Sequence, residues 1–239
     1  MKKIFTLSLS VILLFAIESL YAQSTVNSSE IIEKAKKGES IRYENITIIG
    51  DVDFSLYFEK KNEDIYSKKK RWWGDDDNTV EEIIESRISF INCTFRDDVI
   101  AYIHDDHTGW TFTASFENEV SFVDCDFQEV TAFKYSTFEE ETNFNGSTFD
   151  EEALFKYAKF ERYADFSATT YDSNANFKYA KFNDGLNFSQ TNFNNDLNLK
   201  YANIRGDFKS NNMKVDDDLD VKYTEVNGRS FSKYLLRSE

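Results

Sequence analysis

From residue 122 onward an aromatic or aliphatic residue returns in steps that alternate between five and six: Phe122, Phe127, Phe133, Phe138, Phe144, Phe149, Phe155, Phe160, Phe166, Tyr171, Phe177, Phe182, Phe188, Phe193, Leu199 and Ile204. Two residues before most of them stands a small residue, among them Ser136, Thr142, Ala153, Ala158, Ala164, Ala175, Ala180 and Ala202. An eleven-residue hydrophobic period also suits a supercoiled helix, but at about 100° per residue two positions five apart would face different ways. An extended segment instead points residues two apart to the same side, which accounts for the small residue beside each large one. Asn, Asp and Gly crowd the positions between, as in Asn183-Asp184-Gly185, where turns favour them. The pattern predicts a β-solenoid built of short rungs.

The same reading divides the rest of the chain. Residues 1–22 open with Lys2 and Lys3, continue through an apolar run and end in Leu20-Tyr21-Ala22, which is the layout of a cleaved export signal. The mature protein is then expected to begin at Gln23, to be periplasmic or secreted, and to contain no transmembrane segment. Residues 23–27 read as flexible. Within 23–40 a short helix is expected: Ser28 as its cap, Ile31, Ile32 and Ala35 apolar, lysines in the last turn and Gly38 as its stop. A β-tower has open edges that recruit other strands unless covered, so this helix is assigned as a cap. The tower itself is expected over 41–229. Excursions at 59–86 and 96–110 interrupt it, because the rung pattern lapses there, and an apolar C-terminal cap closes it over 230–239 with Phe231, Tyr234, Leu235 and Leu236. The chain has no proline, as suits rungs that need every backbone donor.

Ala175-Asn176-Phe177-Lys178-Tyr179 and Leu197-Asn198-Leu199-Lys200-Tyr201 resemble the unit of the pentapeptide repeat family, commonly written A-(D/N)-L-x-x. The resemblance covers roughly residues 41–226, with Phe in place of the central Leu. It implies a right-handed quadrilateral parallel β-helix, all-β apart from the short capping helix, with the central and small residues inward. The chain departs from the family by inserting one residue after every second unit. Phe133-Lys134-Tyr135, Phe155-Lys156-Tyr157, Phe177-Lys178-Tyr179, Leu199-Lys200-Tyr201 and Val221-Lys222-Tyr223 accordingly recur every 22 residues. One coil is therefore 22 residues with two widened corners. Rungs stacked about 4.8 Å apart place Lys134, Lys156, Lys178, Lys200 and Lys222 in one column and Tyr135, Tyr157, Tyr179, Tyr201 and Tyr223 in the next. That ruled face is the candidate binding surface, with ordinary ladder packing as the plain alternative. The widened corners carry acids, Asp150-Glu151-Glu152, Asp172, Asp196 and Asp216-Asp217-Asp218 on one edge and Glu139-Glu140-Glu141, Glu161, Asp184 and Asp207 on the other.

Cys93 and Cys125 occupy the same slot of two matching phrases, Ser89-Phe90-Ile91-Asn92-Cys93-Thr94-Phe95 and Ser121-Phe122-Val123-Asp124-Cys125-Asp126-Phe127. If these are neighbouring rungs, their Cα atoms lie about 4.8 Å apart, within disulfide range. In an exported protein a disulfide is expected there, with buried free thiols as the alternative. His104-Asp105-Asp106-His107 holds both histidines and offers imidazole and carboxylate ligands for a divalent metal; a solvated loop serves equally. Asp75-Asp76-Asp77-Asn78 and the run at 216–220 are acidic enough for calcium, but match no known calcium loop. Residues 68–73, Lys-Lys-Lys-Arg-Trp-Trp, suit an anionic surface or a flap over the tower.

A formal charge of −15, one unit more negative without the signal, repels nucleic acid and anionic lipid. No nucleophile motif, phosphate loop or cysteine cluster is present, and no cofactor is implied. The expected function is a non-enzymatic exported scaffold or binding module whose partner is a protein or glycan of the cell envelope; a homodimer is compatible with it. Two alternatives stay open: an acidic DNA mimic that inhibits a DNA-binding protein, as the resemblance implies for some family members, and a polysaccharide-active β-helix enzyme using a pair of acids.

Overall fold

The computed structural model describes residues 24–57 and 78–232. Within them the chain is a right-handed parallel β-helix with four faces, wound in seven coils. The faces follow in chain order from Ile41–Glu44, Ile46–Ile49, Val52–Asp53 and Thr79–Ile84. Each later coil repeats the circuit: Thr142 pairs with Ala164 and Ala164 with Leu186 on the first face, Phe127 with Phe149 and Phe149 with Tyr171 on the second. Equivalent residues in these coils are 22 apart. The central residue and its small neighbour point inward on every face, so that Ser136, Ser147, Ala153, Ala158, Ala164 and Thr169 are as buried as the rings they flank.

The core is a set of aromatic stacks. Phe138, Phe160 and Phe182 lie 4.9 and 4.8 Å apart and almost parallel, and Phe127, Phe149 and Tyr171 at 4.8 and 4.7 Å likewise. Between faces the rings meet edge to face, as Phe166 does with Phe155 at 5.3 Å and 80°. Rung spacing sets the vertical distance, and small residues at the adjacent inward positions leave room for the rings.

Tyr171 breaks this apolar rule. It is fully buried with phenylalanine directly above and below it in its column, and its hydroxyl has no hydrogen-bond partner. Burial drives its phenol far above the ordinary tyrosine range. The nearby Thr169 hydroxyl offsets this only in part, because it already donates to the Phe166 carbonyl at 2.5 Å. An unsatisfied buried hydroxyl costs about 1–3 kcal/mol. Tyr171→Phe should therefore stabilise the protein by about 1–2 kcal/mol in chemical denaturation; a loss of stability would mean that the hydroxyl has a partner.

Both ends of the tower are covered. At the top, Ser24–Asn27 is a strand, not the flexible lead expected, pairing in parallel with Ile46–Ile49. The open edge of the second face recruits it. Helix α1, Ser28–Lys36, is capped by Asn27, whose side chain accepts from the Ser29 N–H at 3.0 Å, one residue earlier than expected. Ile31 and Ala35 are buried on the first coil. At the bottom, Arg229–Ser230 folds back antiparallel on Glu225–Val226, and buried Phe231 packs against Phe208. Tyr234, Leu235, Leu236 and the expected signal segment lie outside the described residues.

The two expected excursions leave the tower at one place. Both fall between the third and fourth faces, in the first and second coils, lengthening them to 47 and 32 residues. Residues 96–110 are not a simple loop. Val99–Ile100 forms a regular rung of the third face, and Tyr102–Asp105 is a strand antiparallel to Trp110–Phe116. In the other insertion Thr79–Ile84, within the expected excursion 59–86, pairs in parallel with Trp110–Phe116 over six residues. The three strands form a wing that continues the fourth face past its corner. Residues 58–77, with the basic and tryptophan-rich run and Asp75-Asp76-Asp77, lie outside the described residues.

Candidate interaction site: a lysine and tyrosine corner

The regular coils have two tight corners, after the first face and after the third, each closed by a turn with a left-handed residue; the second coil lacks the latter because its chain leaves into the strand Tyr102–Asp105. After the third face the N–H groups of Ala158 and Ala180 donate to the carbonyls of Phe155 and Phe177 at 3.0 and 2.9 Å. The left-handed residues of these turns are Tyr157 and Tyr179, at φ 62°. Position i+2 of such a turn favours glycine or asparagine. The tight corner after the first face largely obeys this preference, with Asn92, Asp124, Gly146 and Asn212 among its residues. The corner after the third face places Tyr135, Tyr157, Tyr179, Tyr201 and Tyr223 there, at φ between 62° and 66°.

Those five rings form a ladder. Successive centroids are 4.9, 4.7, 4.7 and 4.8 Å apart and nearly parallel. At the top, Tyr102 of the wing covers Tyr135 at 5.8 Å and a tilt of 47°. The ring faces are thus occupied by one another. The ladder offers no row of open aromatic platforms to a sugar; it presents ring edges and phenol hydroxyls, and Tyr223 at its foot is 60% exposed.

Each lysine of the neighbouring column holds its Nζ beside its own tyrosine, from 5.1 Å to the ring centroid at Lys134 to 5.8 Å at Lys200. Lys134 also donates to the Tyr102 hydroxyl at 2.8 Å. Among the described residues Lys156, Lys178, Lys181 and Lys222 join no ion pair. Lys159 is held by Glu161, and Lys200 reaches Asp220 at 4.0 Å. Burial, then repulsion from Lys134 and Lys178, lowers the affinity of Lys156 for its proton.

The ladder's energetics are nearly balanced. Left-handed backbone costs a non-glycine residue about 1–2 kcal/mol. Stacking contributes about 0.5–1.5 kcal/mol per pair, and an exposed cation over a ring about 0.5–1 kcal/mol. Tyr179→Asn breaks two stacks and relieves one strained turn that asparagine tolerates, so it should change unfolding free energy by less than about 2 kcal/mol. A loss above about 2 kcal/mol would make the ladder a structural brace.

The acids gather as expected at the widened corners. Asp150 sits with Asp126, Asp172 and Glu151; burial first, then these charges, raise its carboxyl above the usual range. The folded state then binds this proton more readily than the unfolded chain, so acidification from neutral through that raised value stabilises the fold. Asp150→Asn should raise the melting temperature at pH 7 and flatten that acid-side gain; an unchanged pH profile would remove the corner from the account.

Of the other expected site residues, His104 lies on the wing strand with its Nδ1 2.9 Å from the Thr111 hydroxyl, and its Nε2 is 3.6 Å from Asp106. Asp105 accepts from the Tyr57 hydroxyl and the His107 N–H. The four are not gathered into a metal-binding set, and no group of three or more ligating side chains is so placed among the described residues. Cys93 and Cys125 do sit on neighbouring rungs, since Asp126 pairs with Thr94. In the structure both are buried free thiols, and the expected disulfide between them is a question of oxidation. Sequence reasoning missed one further feature: beside the wing and the head of the ladder a cleft of about 470 Å³ is lined by Thr79, Glu81, Thr111, Thr113 and Tyr135. Polar residues at alternate positions, Thr79 and Glu81 within the expected excursion 59–86 and Thr111 and Thr113 just past the one at 96–110, were the available signal.

Four parallel sheets with one rung per face and an inward ring on each define a β-helical repeat protein, with a repeating outer corner as its most distinctive surface. Residues 112–158 and 155–203 match the model for pentapeptide repeats, in nine copies. Residues 112–203 are thus similar to pentapeptide repeats, and the same coil continues above and below them. No curated protein and no solved structure matched in the other two comparisons.

Proposed function

We propose that this pentapeptide-repeat scaffold is an exported, non-enzymatic binding module and that the Lys–Tyr corner is its partner-binding surface. One observation carries the assignment of the surface. The two tight corners share a turn, yet only the one after the third face fills the left-handed position with tyrosine in five successive coils. Strain at a repeated position, with little net stability in return, is a mark of selection for a surface. Export rests on the charged start, apolar run and small residues of 1–22, and the envelope partner is a protein or glycan that accepts hydrogen bonds and carries negative charge.

The test uses mature protein starting at Gln23 and a triple variant, Tyr157→Asn, Tyr179→Asn and Tyr201→Asn, which keeps the turns. Envelope components retained by the wild type should be lost from the variant at equal melting temperature. Equal retention by both would remove the corner from consideration. Recovery of full-length, uncleaved protein in the cytoplasm would overturn export.

A further inference from the structure

The third face is flanked by unlike charges. In three coils its rung begins at an acidic corner and ends at the lysine column: Glu152, Leu154, Lys156; Asp196, Asn198, Lys200; Asp218, Asp220, Lys222. In the coil of Asn176 and Lys178 the matching position is Asn174 and the corner's acid is Asp172, two residues earlier, and in the coil of Lys134 it is Val130. The inward residues alternate with these, so acid, middle residue and lysine all project outward. Acid and lysine of one rung, as at Glu152 and Lys156, are four residues apart, about 13 Å along a strand, too far to pair with each other; between rungs only the middle acid Asp220 is reached among the described residues, by Lys200 at 4.0 Å. The fourth face lacks this polarity: Lys159 and Glu161 pair with each other, and Tyr179, Lys181 and Asn183 carry no acid. Each column on the third face repels itself, which the pairs around Asp150 and Lys156 express.

We infer that the third face is a self-complementary docking surface whose occupant is a second copy of this chain, related by a two-fold axis parallel to the tower. The inference rests on reading the Lys–Tyr corner as an interaction surface and names one partner for it. Rotation by half a turn about such an axis exchanges the left and right edges and leaves height unchanged. The acidic edge of each copy then meets the lysine column of the other, coil against coil, and the rise matches because the two copies are identical. An axis across the tower would set acid against acid. The arrangement is isologous and closes at two copies. Five coils of one narrow face bury on the order of 800 Å² in total, at the low end for specific contacts, so the dimer is weak and salt-sensitive.

The symmetry supplies its own test. One variant carries Lys156→Glu, Lys178→Glu and Lys200→Glu; the other carries Glu152→Lys, Asp172→Lys and Asp196→Lys. In sedimentation at low salt the wild type should self-associate at roughly 100 µM, each variant alone should be monomeric, and an equimolar mixture should form a 1:1 dimer. Lysines placed instead at Glu139, Glu141 and Asp184, on the opposite acidic edge, should not rescue the first variant. A monomeric wild type, a mixture that stays monomeric although both variants melt cooperatively, or equal rescue by the opposite edge would each overturn the dimer. The envelope experiment reads retention by the tyrosine variant and the dimer test reads self-association of the charge variants, so the two proposals fail separately.

Discussion

Phe155→Ala is expected to cost about 3–5 kcal/mol, the range for removing a buried aromatic side chain. Phe155 is wholly buried. It stacks on Phe177 at 4.9 Å and on Phe133 at 5.7 Å, and meets Phe144 and Phe166 edge to face at 5.6 and 5.3 Å. Its loss opens a cavity in the middle of the tower, where neither a cap nor solvent can fill it. In a stack of repeats each coil is stabilised mainly by its neighbours, so hydrogen exchange should accelerate first in the coils holding Phe133, Phe155 and Phe177. The internal control is Phe155→Leu: Leu199 occupies the same column two coils below and is itself fully buried, and the swap should cost no more than about 1.5 kcal/mol. Urea titrations of the two variants decide the matter. A loss below about 1.5 kcal/mol for the alanine variant would mean that the ring column is not close-packed.

The contrast between that cost and the small effect expected at Tyr179 separates what was legible in the sequence from what was not. The inward positions recur in every rung, so spacing alone identified the coil length and the aromatic core. The caps and wing follow a different logic. Ser24–Asn27 has no strand pattern of its own and is a strand because Ile46–Ile49 offers an edge. Tyr102–Asp105 and Trp110–Phe116 do contain a hairpin signal around Gly109, but they interrupt the 22-residue period, and an interrupted period reads as an excursion. The ladder was legible as a column but not as a stack: periodicity cannot say that the rings lie face to face and conceal their platforms. Its left-handed backbone was readable in principle, from Asn92, Asp124 and Gly146 at the matching position of the other tight corner. The polarity of the third face needs the order of corners around the coil, which the fold supplies and the list of acids does not.

Oxidation should join Cys93 to Cys125 and raise stability by roughly 3–4 kcal/mol, the chain-entropy value for a closed loop of this size. The two residues are 32 apart in the chain and lie on adjacent rungs, where strands stand about 4.8 Å apart, inside the range a disulfide spans. Both thiols are free and buried in the structure, so the bond must form before the coil closes or through local opening. The pair is chemically prepared. Hydrogen bonding from the Cys125 thiol lowers the Cys93 pKa to about 7, while the same interaction and burial push Cys125 up. Cys93 is thus the member that ionises more readily and attacks an oxidised partner, while Cys125 is held as the thiol. With oxidised glutathione, Cys93 first forms a mixed disulfide and releases one glutathione thiolate; Cys125 then displaces the second and gives up its proton. Two protons and two electrons leave the protein. Mass spectrometry without reductant should show a loss of about 2 Da, and the urea midpoint should shift upward relative to the reduced protein and to Cys125→Ser. If refolding in the oxidised buffer leaves both thiols alkylatable, the rungs hold their sulfurs apart. The cysteines would then serve the core alone, and an oxidising compartment would contribute nothing to the stability of this tower.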